Sequence, residues 1–168
     1  LVIGATLYGP ITRLLFNPYV VCAALIIGGV AIILIERLRG APSADRVEEI
    51  TPGVALAIGF CQALAMIPGT SRSGATIIGA LLLGVGRPAA AEFSFVLAIP
   101  TMFAATVYSL YRNWSDLSGE GAGLIAIGFA AAFVVAFLAV RAVLAVIARM
   151  GFAPFGYYRI AVGLVMLA

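Results

Sequence analysis

Long apolar segments, each ended by proline, glycine or charged residues, make up most of this chain of 168 residues. A membrane-spanning helix needs about 20 predominantly apolar residues to cross a hydrocarbon core of about 30 Å. Three segments meet this requirement, and a fourth is predicted to begin a further span. These segments are residues 19–38, 88–111, 122–148 and 154–168. The pattern predicts an all-α polytopic membrane protein with a single integral membrane domain over residues 1–168.

The segment 51–86 is also apolar, but the run Pro-Gly-Thr-Ser-Arg-Ser-Gly at residues 68–74 interrupts it. Thr51-Pro52 is a favourable helix start, because a hydroxyl N-cap precedes a proline at the first helical position. The interruption leaves two predicted helices, 51–67 and 74–86. The second would reach only about 20 Å at 1.5 Å per residue. We therefore predict a re-entrant helix-loop-helix, which is tolerated where protein or a water-filled cavity surrounds it.

The arginine distribution favours this re-entrant topology. With a re-entrant segment, most arginines fall on or toward one face, as expected for a cytoplasmic face. That group is Arg37, Arg39, Arg46, Arg87, Arg141, Arg149 and Arg159, and the opposite group is Arg13 and Arg112. A single crossing by residues 51–86 would move Arg87, Arg149 and Arg159 to the other face and remove most of the asymmetry.

The composition narrows the function classes. Hydrophobic residues make up 64% of the chain and charged residues 10%, whereas a soluble domain is about 45–50% apolar. Charges this sparse argue against a nucleic-acid surface. Cys22 and Cys61 are interpreted as small buried side chains, and histidine is absent. Because Leu1 is not an initiator methionine, we expect a fragment or truncated gene product that lacks an N-terminal portion.

The interrupting loop carries the candidate chemistry. An arginine at membrane depth costs roughly 2.5–3.5 kcal/mol on insertion scales, so Arg72 is expected to have a function. The helix after the loop would offer unpaired backbone N–H groups and a partial positive charge to an anion. Arg72 can bind two phosphate oxygens through its planar guanidinium. Hydroxyls and flexible glycines flank it: Thr70, Ser71 and Ser73, with Gly69 and Gly74. The pattern predicts a phosphate pocket for a lipid-bound substrate.

Other interpretations remain open at this point. Serine and glycine also permit close helix packing, and an arginine can extend to the interface, so the loop could be purely structural or could conduct a substrate. Glu92 is either an interfacial carboxylate favoured by a helix start or a pocket-lining partner of Arg72. Gln62 either lines the pocket or bonds to a neighbouring helix.

Three stretches carry a resemblance to a known family: residues 59–65 (Gly-Phe-Cys-Gln-Ala-Leu-Ala), residues 68–76 (Pro-Gly-Thr-Ser-Arg-Ser-Gly-Ala-Thr), and residues 91–95 with Pro100. They resemble the undecaprenyl-diphosphate phosphatases, also called bacitracin-resistance proteins. Weaker similarities are Leu15-Phe16-Asn17-Pro18, Pro154-Phe155 and Tyr158-Arg159. The resemblance covers essentially the whole chain, as the C-terminal three-fifths or so of such a protein.

The resemblance implies a multi-pass enzyme of the bacterial plasma (inner) membrane. Such enzymes remove the terminal phosphate of the C55 isoprenoid diphosphate carrier, which recycles the carrier for peptidoglycan synthesis and confers bacitracin resistance. It also implies an inverted repeat with two re-entrant helix pairs, of which this chain supplies one, around a pocket open to the outer face. The implied catalytic residues are Arg72, Ser71 and Ser73, and the implied phosphate-binding residues are Gly69, Thr70 and Gly74.

One departure from the family is important. The family's glutamate-rich motif, with its nearby serine and histidine, matches no segment here. The resemblance implies a divalent cation, Mg or Ca, whose ligands would lie in the missing N-terminal part, so no metal site is predicted in this chain. We expect this chain alone to be inactive.

The expected partners are the polyprenyl diphosphate and membrane lipids, and a homodimer is among the assemblies left open. The rival functions are a membrane transporter, since broken helices directed at an anion are also transporter architecture, and a lipid-carrier flippase or scaffold. Phosphate release would favour the enzyme, whereas flux without hydrolysis would favour transport.

Overall fold

The computed structural model describes Leu15, residues 17–38, Gly40, and residues 42–114 and 119–167. Arg13, Phe16 and Arg39 lie outside these residues. Within this part of the chain there are six α-helices and no β-strand. The helices are α1 (Pro18–Leu38), α2 (Pro52–Cys61), α3 (Arg72–Leu82), α4 (Arg87–Arg112), α5 (Gly119–Met150) and α6 (Ala153–Val165). Short 3-10 helices cover Val47–Glu49 and Gln62–Met66. The predicted all-α class is confirmed.

Three helices are long and apolar enough to cross a membrane, judged by length and composition. They are α1, α4 and the part of α5 from Gly123 to Met150. α6 has 13 residues and falls short of a full crossing. Many apolar side chains of these helices are exposed, as expected for side chains that face lipid. Examples on α5 are Phe129, Phe133 and Leu138. The chain is a polytopic membrane protein.

The segment between α1 and α4 is a hairpin with its two ends side by side. The Ser43 N–H donates to the Gly84 carbonyl at 2.8 Å, and the Gly86 N–H donates to the Ala44 carbonyl at 2.7 Å. The chain therefore leaves the hairpin next to the point where it entered, as a re-entrant segment requires. α3 ends at Leu82 rather than at residue 86, because the backbone of Gly84 and Gly86 bonds to the entering chain instead of extending the helix.

A buried ion pair lies at this same end of the molecule. Glu36, near the end of α1, is buried, and one of its carboxylate oxygens lies 2.7 Å from Arg87 Nε at the start of α4. The backbone N–H of Phe152, between α5 and α6, donates to the same carboxylate at 2.9 and 3.1 Å. The junction joins α1, α4 and the α5–α6 connection. Arg37 directly follows Glu36, and Arg149 precedes Phe152 by three residues, so both are close to this junction along the chain.

The core surrounds α3 and consists mostly of small and aliphatic side chains. Its fully or nearly fully buried members include Ile58, Ala80, Leu81, Val85, Ala89, Ala90, Ala91 and Ile147. α6 packs along α1 at very short range, because a Cβ added at Gly29 would lie 2.6 Å from the Gly156 carbonyl oxygen. Small residues permit this approach. The close α1–α6 contact brings Arg159 of α6 to the tip of the hairpin.

Candidate anion site at the hairpin tip

The tip of the hairpin is a tight turn that only glycine can complete. The Thr70 N–H donates to the Ile67 carbonyl at 3.0 Å, and Gly69 has φ +87°. A Cβ at Gly69 would lie 2.6 Å from the carbonyl oxygen of Val21 and 2.8 Å from its Cα. A side chain would therefore be strained by the backbone conformation and would collide with α1. The predicted role of Gly69, a close backbone approach, has this physical basis.

Ser71 is the N-cap of α3. Its Oγ accepts a hydrogen bond from the Gly74 N–H at 3.1 Å, and the first regular helical bond runs from the Ala75 N–H to the Ser71 carbonyl at 2.9 Å. α3 thus begins at Arg72, earlier than the predicted 74. Among the described residues, no hydrogen bond occupies the backbone N–H groups of Arg72 and Ser73. These two donors, at the positive end of the helix dipole, remain available to an anion.

The Arg72 side chain is half-buried and points to α4. Its Nη1 donates to the Thr101 hydroxyl at 3.2 Å. That hydroxyl can donate to the Leu97 or Ala98 carbonyl, each at 3.0 Å, which leaves its oxygen lone pair for Arg72. A guanidinium has five N–H donors, so most of those on Arg72 are not used by this contact. Thr101 fixes the direction of the arginine, and the sequence analysis did not identify it.

The remaining hydroxyls form two pairs. Ser71 Oγ and Ser73 Oγ lie 3.1 Å apart, and Ser73 is exposed. Buried Thr76 lies 2.7 Å from the Ser94 hydroxyl of α4, and its own hydroxyl also reaches the Arg72 and Ser73 carbonyls at 3.1 and 3.0 Å. The Thr76–Ser94 pair attaches the first turn of α3 to α4, so it holds the candidate site in place.

Two cavities flank the first turns of α3. One, of about 240 Å³, opens toward α4, α5 and α6, and the other, of about 420 Å³, lies between α1, the 3-10 segment and α3. Their linings are mainly apolar, and both include Ser71, Gly74 and Arg159. Ser73 lines the first cavity and Thr70 the second. Arg72 lines neither, so the guanidinium shared by both cavities belongs to Arg159.

Arg159 lies at a different place from the one that the arginine distribution predicted. The arginine count placed it on or toward the cytoplasmic face, but its Nη2 donates to the Gly69 carbonyl at 3.1 Å and to the Ala24 carbonyl at 3.2 Å. It is therefore located at the hairpin tip. The prediction placed each arginine near a helix end at the interface. A contact between residues 90 positions apart is not visible in such a local pattern. The only sequence signal was the weak similarity at Tyr158-Arg159.

Glu92 and Gln62, for which a pocket-lining role was one alternative, lie elsewhere. Glu92 is exposed on α4 and lines neither of these cavities. The expectation that it is a buried partner of Arg72 is thus corrected: its position in the helix directs it away from the α3 contact, where Ala91 and Ser94 are buried. Gln62 is partly buried in the 3-10 segment and likewise lines neither cavity.

Comparison with known proteins identifies the family. The family model of the bacitracin resistance protein BacA matches residues 1–165. The chain belongs to the BacA family. It is 56% identical over 165 residues to undecaprenyl-diphosphatase 2 of Paramagnetospirillum magneticum, covering 98% of this chain and 63% of that protein. It is 52% identical to the undecaprenyl-diphosphatases of Rhizorhabdus wittichii and Aromatoleum aromaticum, covering 96% and 99% of this chain and 61% of each relative.

The chain thus spans about three-fifths of the length of these BacA-family relatives. Within its described residues, no group of three or more His, Cys, Asp or Glu side chains is arranged to hold a metal ion. The hydroxyls, backbone donors and guanidinium groups at the hairpin tip suit an anion rather than a cation, so this donor set does not fit the divalent metal that the resemblance implied.

Proposed function

We propose that this chain supplies the phosphate-binding part of an enzyme that dephosphorylates undecaprenyl diphosphate to undecaprenyl phosphate. The observation that carries the proposal is the start of α3, where none of the described residues bonds to the N–H groups of Arg72 and Ser73. Arg72 and Arg159 bring two guanidinium groups to this end of the hairpin. The printed names of the relatives, undecaprenyl-diphosphatases, support the same substrate. On this proposal the carrier is recycled for peptidoglycan synthesis, and the enzyme confers bacitracin resistance from the bacterial plasma membrane.

The chemistry assigned to this chain is charge stabilisation. Transfer of a phosphoryl group develops negative charge on its equatorial oxygens, and catalysis relies on positioned donors around them. In our proposal, the free N–H groups at the start of α3 and the guanidinium of Arg72 bind these oxygens. Thr101 keeps Arg72 directed toward α4 and beside the loop.

Ser71 and Ser73 have different places in the proposal. Ser71 Oγ already accepts from the Gly74 N–H, so its first role is to cap α3 and keep the donors aligned. Ser73 is exposed and is assigned a hydrogen bond to the phosphate. Gly69, Thr70 and Gly74 shape the loop. Activation of the attacking group requires a base or a metal, and we derive no such step from the described residues.

The proposal is tested with Arg72→Ala and Arg72→Lys in the intact membrane-embedded protein, by measuring phosphate release from undecaprenyl diphosphate. Loss of one positioned donor in a phosphoryl-transfer site should lower kcat by roughly 100-fold or more. Lysine should recover only part of the loss, because it lacks the planar fork. Arg149→Gln, at an exposed arginine at the end of α5, is the matched control. Near-normal turnover by Arg72→Ala would remove Arg72 from the mechanism, and lipid flux without phosphate release would refute the enzyme.

A further inference from the structure

Two buried hydroxyls lie behind the backbone donors of the first α3 turn. Thr76 of α3 and Ser94 of α4 are 1% and 7% exposed, and their hydroxyl oxygens lie 2.7 Å apart. The Thr76 hydroxyl also lies 3.1 Å from the Arg72 carbonyl oxygen and 3.0 Å from that of Ser73. The pair therefore connects α4 to the backbone that carries the Arg72 and Ser73 N–H groups, to which none of the described residues bonds.

The number of protons gives this chain of hydrogen bonds a direction. Thr76 has one hydroxyl proton and three acceptors within reach, whereas Ser94, within the described part of the chain, bonds through its hydroxyl to Thr76 alone. If Thr76 donated to Ser94, the buried Ser94 proton would lack an acceptor among these residues. If Thr76 donates to a backbone carbonyl, as threonine commonly does in helices, Ser94 can donate to Thr76 and both protons are used. The chain therefore runs from Ser94 through Thr76 to the α3 backbone.

The carbonyls that Thr76 reaches belong to the peptide units that carry the donors of the loop. The Arg72 carbonyl shares a planar peptide unit with the Ser73 N–H, and the Ser73 carbonyl shares one with the Gly74 N–H, which donates to Ser71 Oγ. Hydrogen bonds in a chain polarise one another, and they are stronger where the dielectric is low. A proton donated to the Arg72 carbonyl draws electron density to its oxygen, so the Ser73 N–H becomes a stronger donor.

We propose that Ser94 is a positioning residue, which acts through Thr76 to align and polarise the Ser73 N–H toward a phosphoryl oxygen. This inference rests on the proposed function, because that function supplies the phosphoryl group. Thr101 acts on a different donor, the Arg72 side chain. Ser94 and Thr101 are seven residues apart, about two turns along the same face of α4. One helix thus controls the backbone donor and the guanidinium from separate positions.

The test follows the Ser73 amide by nuclear magnetic resonance in the intact protein in detergent, labelled with ¹⁵N-serine and titrated with orthophosphate. Disappearance of a signal in Ser73→Thr assigns the resonance. In Ser94→Ala we expect the Ser73 amide proton to resonate upfield of its wild-type position. The affinity for orthophosphate should fall roughly 5- to 10-fold, the effect of one hydrogen bond.

Two variants serve as controls. Ser94→Thr keeps the hydroxyl and has room for its methyl group in the cavity of about 240 Å³ that Ser94 lines, so it should restore the wild-type shift and affinity. Ser109→Ala, at an exposed serine of the same helix, should leave both unchanged.

A merely structural role would give a different pattern. If Ser94 only packs α4 on α3, Ser94→Ala will lower the free energy of unfolding but leave the Ser73 amide shift and the orthophosphate affinity unchanged, which overturns the proposal. Thr76→Val interrupts the chain, so adding Ser94→Ala to it should cause no further loss of affinity, and additive losses also overturn the proposal. Should Ser94→Ala not fold, Ser94→Cys decides the question. Its thiol is a weak donor, so smaller losses in the same direction support the proposal and wild-type values refute it.

Failure of the proposed function has its own signature. If Ser94→Ala shifts the Ser73 amide and weakens orthophosphate binding, but the wild type releases no phosphate from undecaprenyl diphosphate, the role of Ser94 stands and the enzymatic proposal falls. If the wild type releases phosphate and Ser94→Ala does so with unchanged kcat and KM, the enzyme stands and the role of Ser94 falls.

Discussion

Removal of the Glu36 carboxylate should lower the free energy of unfolding by about 3 kcal/mol, a value built from two contacts. The bond from the Phe152 N–H to a charged acceptor contributes about 1.5–3 kcal/mol. The pair with Arg87 adds less than the 3–5 kcal/mol typical of a fully buried pair, because the Arg87 side chain is 38% exposed while that of Glu36 is 5% exposed. The carboxylate is the buried partner, so its loss leaves the Phe152 N–H without an acceptor and Arg87 without its ion-pair partner.

Two substitutions separate the contacts. Glu36→Gln keeps an oxygen for the Phe152 N–H and removes the charge, so we expect a loss of about 1–2 kcal/mol. Glu36→Ala removes both contacts and should show the full loss. The assay is reversible unfolding of the intact protein in mixed micelles with increasing sodium dodecyl sulfate, followed by circular dichroism. Glu92→Gln, at the exposed carboxylate of α4, is the matched control and should unfold as the wild type does.

A double-mutant cycle with Arg87→Gln measures the ion pair itself. Groups in direct contact show coupling of about 0.5–3 kcal/mol, and we expect about 1 kcal/mol here because Arg87 is partly solvated. Strict additivity of Glu36→Gln and Arg87→Gln would refute the ion pair. A Glu36→Ala variant as stable as the wild type would refute the whole junction.

Two further predictions concern the hairpin tip. Thr101→Val removes the acceptor of Arg72 and should lower kcat about 5- to 10-fold, as loss of a hydrogen bond of about 1 kcal/mol predicts. Thr101→Ser keeps the hydroxyl and should retain activity. Equal turnover of the two variants would contradict the role of Thr101. Gly69→Ala should cost at least about 1–2 kcal/mol for the left-handed conformation, with a further loss from contact with the Val21 backbone, measured by the same unfolding assay. Gly53→Ala, where nothing lies within 4 Å of an added Cβ, is its control, and equal stability of the two variants would argue against the close approach.

The sequence predicted the local features of the hairpin well. Thr51 caps α2 and accepts a bond from the Val54 N–H, and helical structure ends before Pro68-Gly69. The predicted helix 51–67 is wrong in one respect, because the α-helix ends at Cys61 and a 3-10 helix covers Gln62–Met66. The exact start of α3 was missed by two residues, because the capping serine was assigned to the loop chemistry instead. These features depend on neighbours within a few positions, which is the range over which turn and capping residues act.

The contacts that complete the site could not be predicted in the same way. Arg72 contacts Thr101, 29 positions away, and Gly69 contacts Arg159, 90 positions away. Only the packing of α3 on α4 and of α6 on α1 brings these residues together. Glu36 ends an apolar run and precedes Arg37, a position that local sequence patterns place at the membrane interface. The fold instead buries it against Phe152, which lies 116 positions away.

Hydrogen bonds between residues 43–44 and 84–86 hold together the two arms of the hairpin, the segments that lead to and from its tip. With both arms fixed at one end, the depth of the tip depends on how many residues each arm contains. α3 has 11 residues and rises about 16 Å. One inserted residue would displace the tip by about 1.5 Å and rotate it by about 100°. Insertions and deletions in α3 should therefore be far more damaging than substitutions on its exposed side, since they change the depth in the bilayer at which the candidate anion site lies.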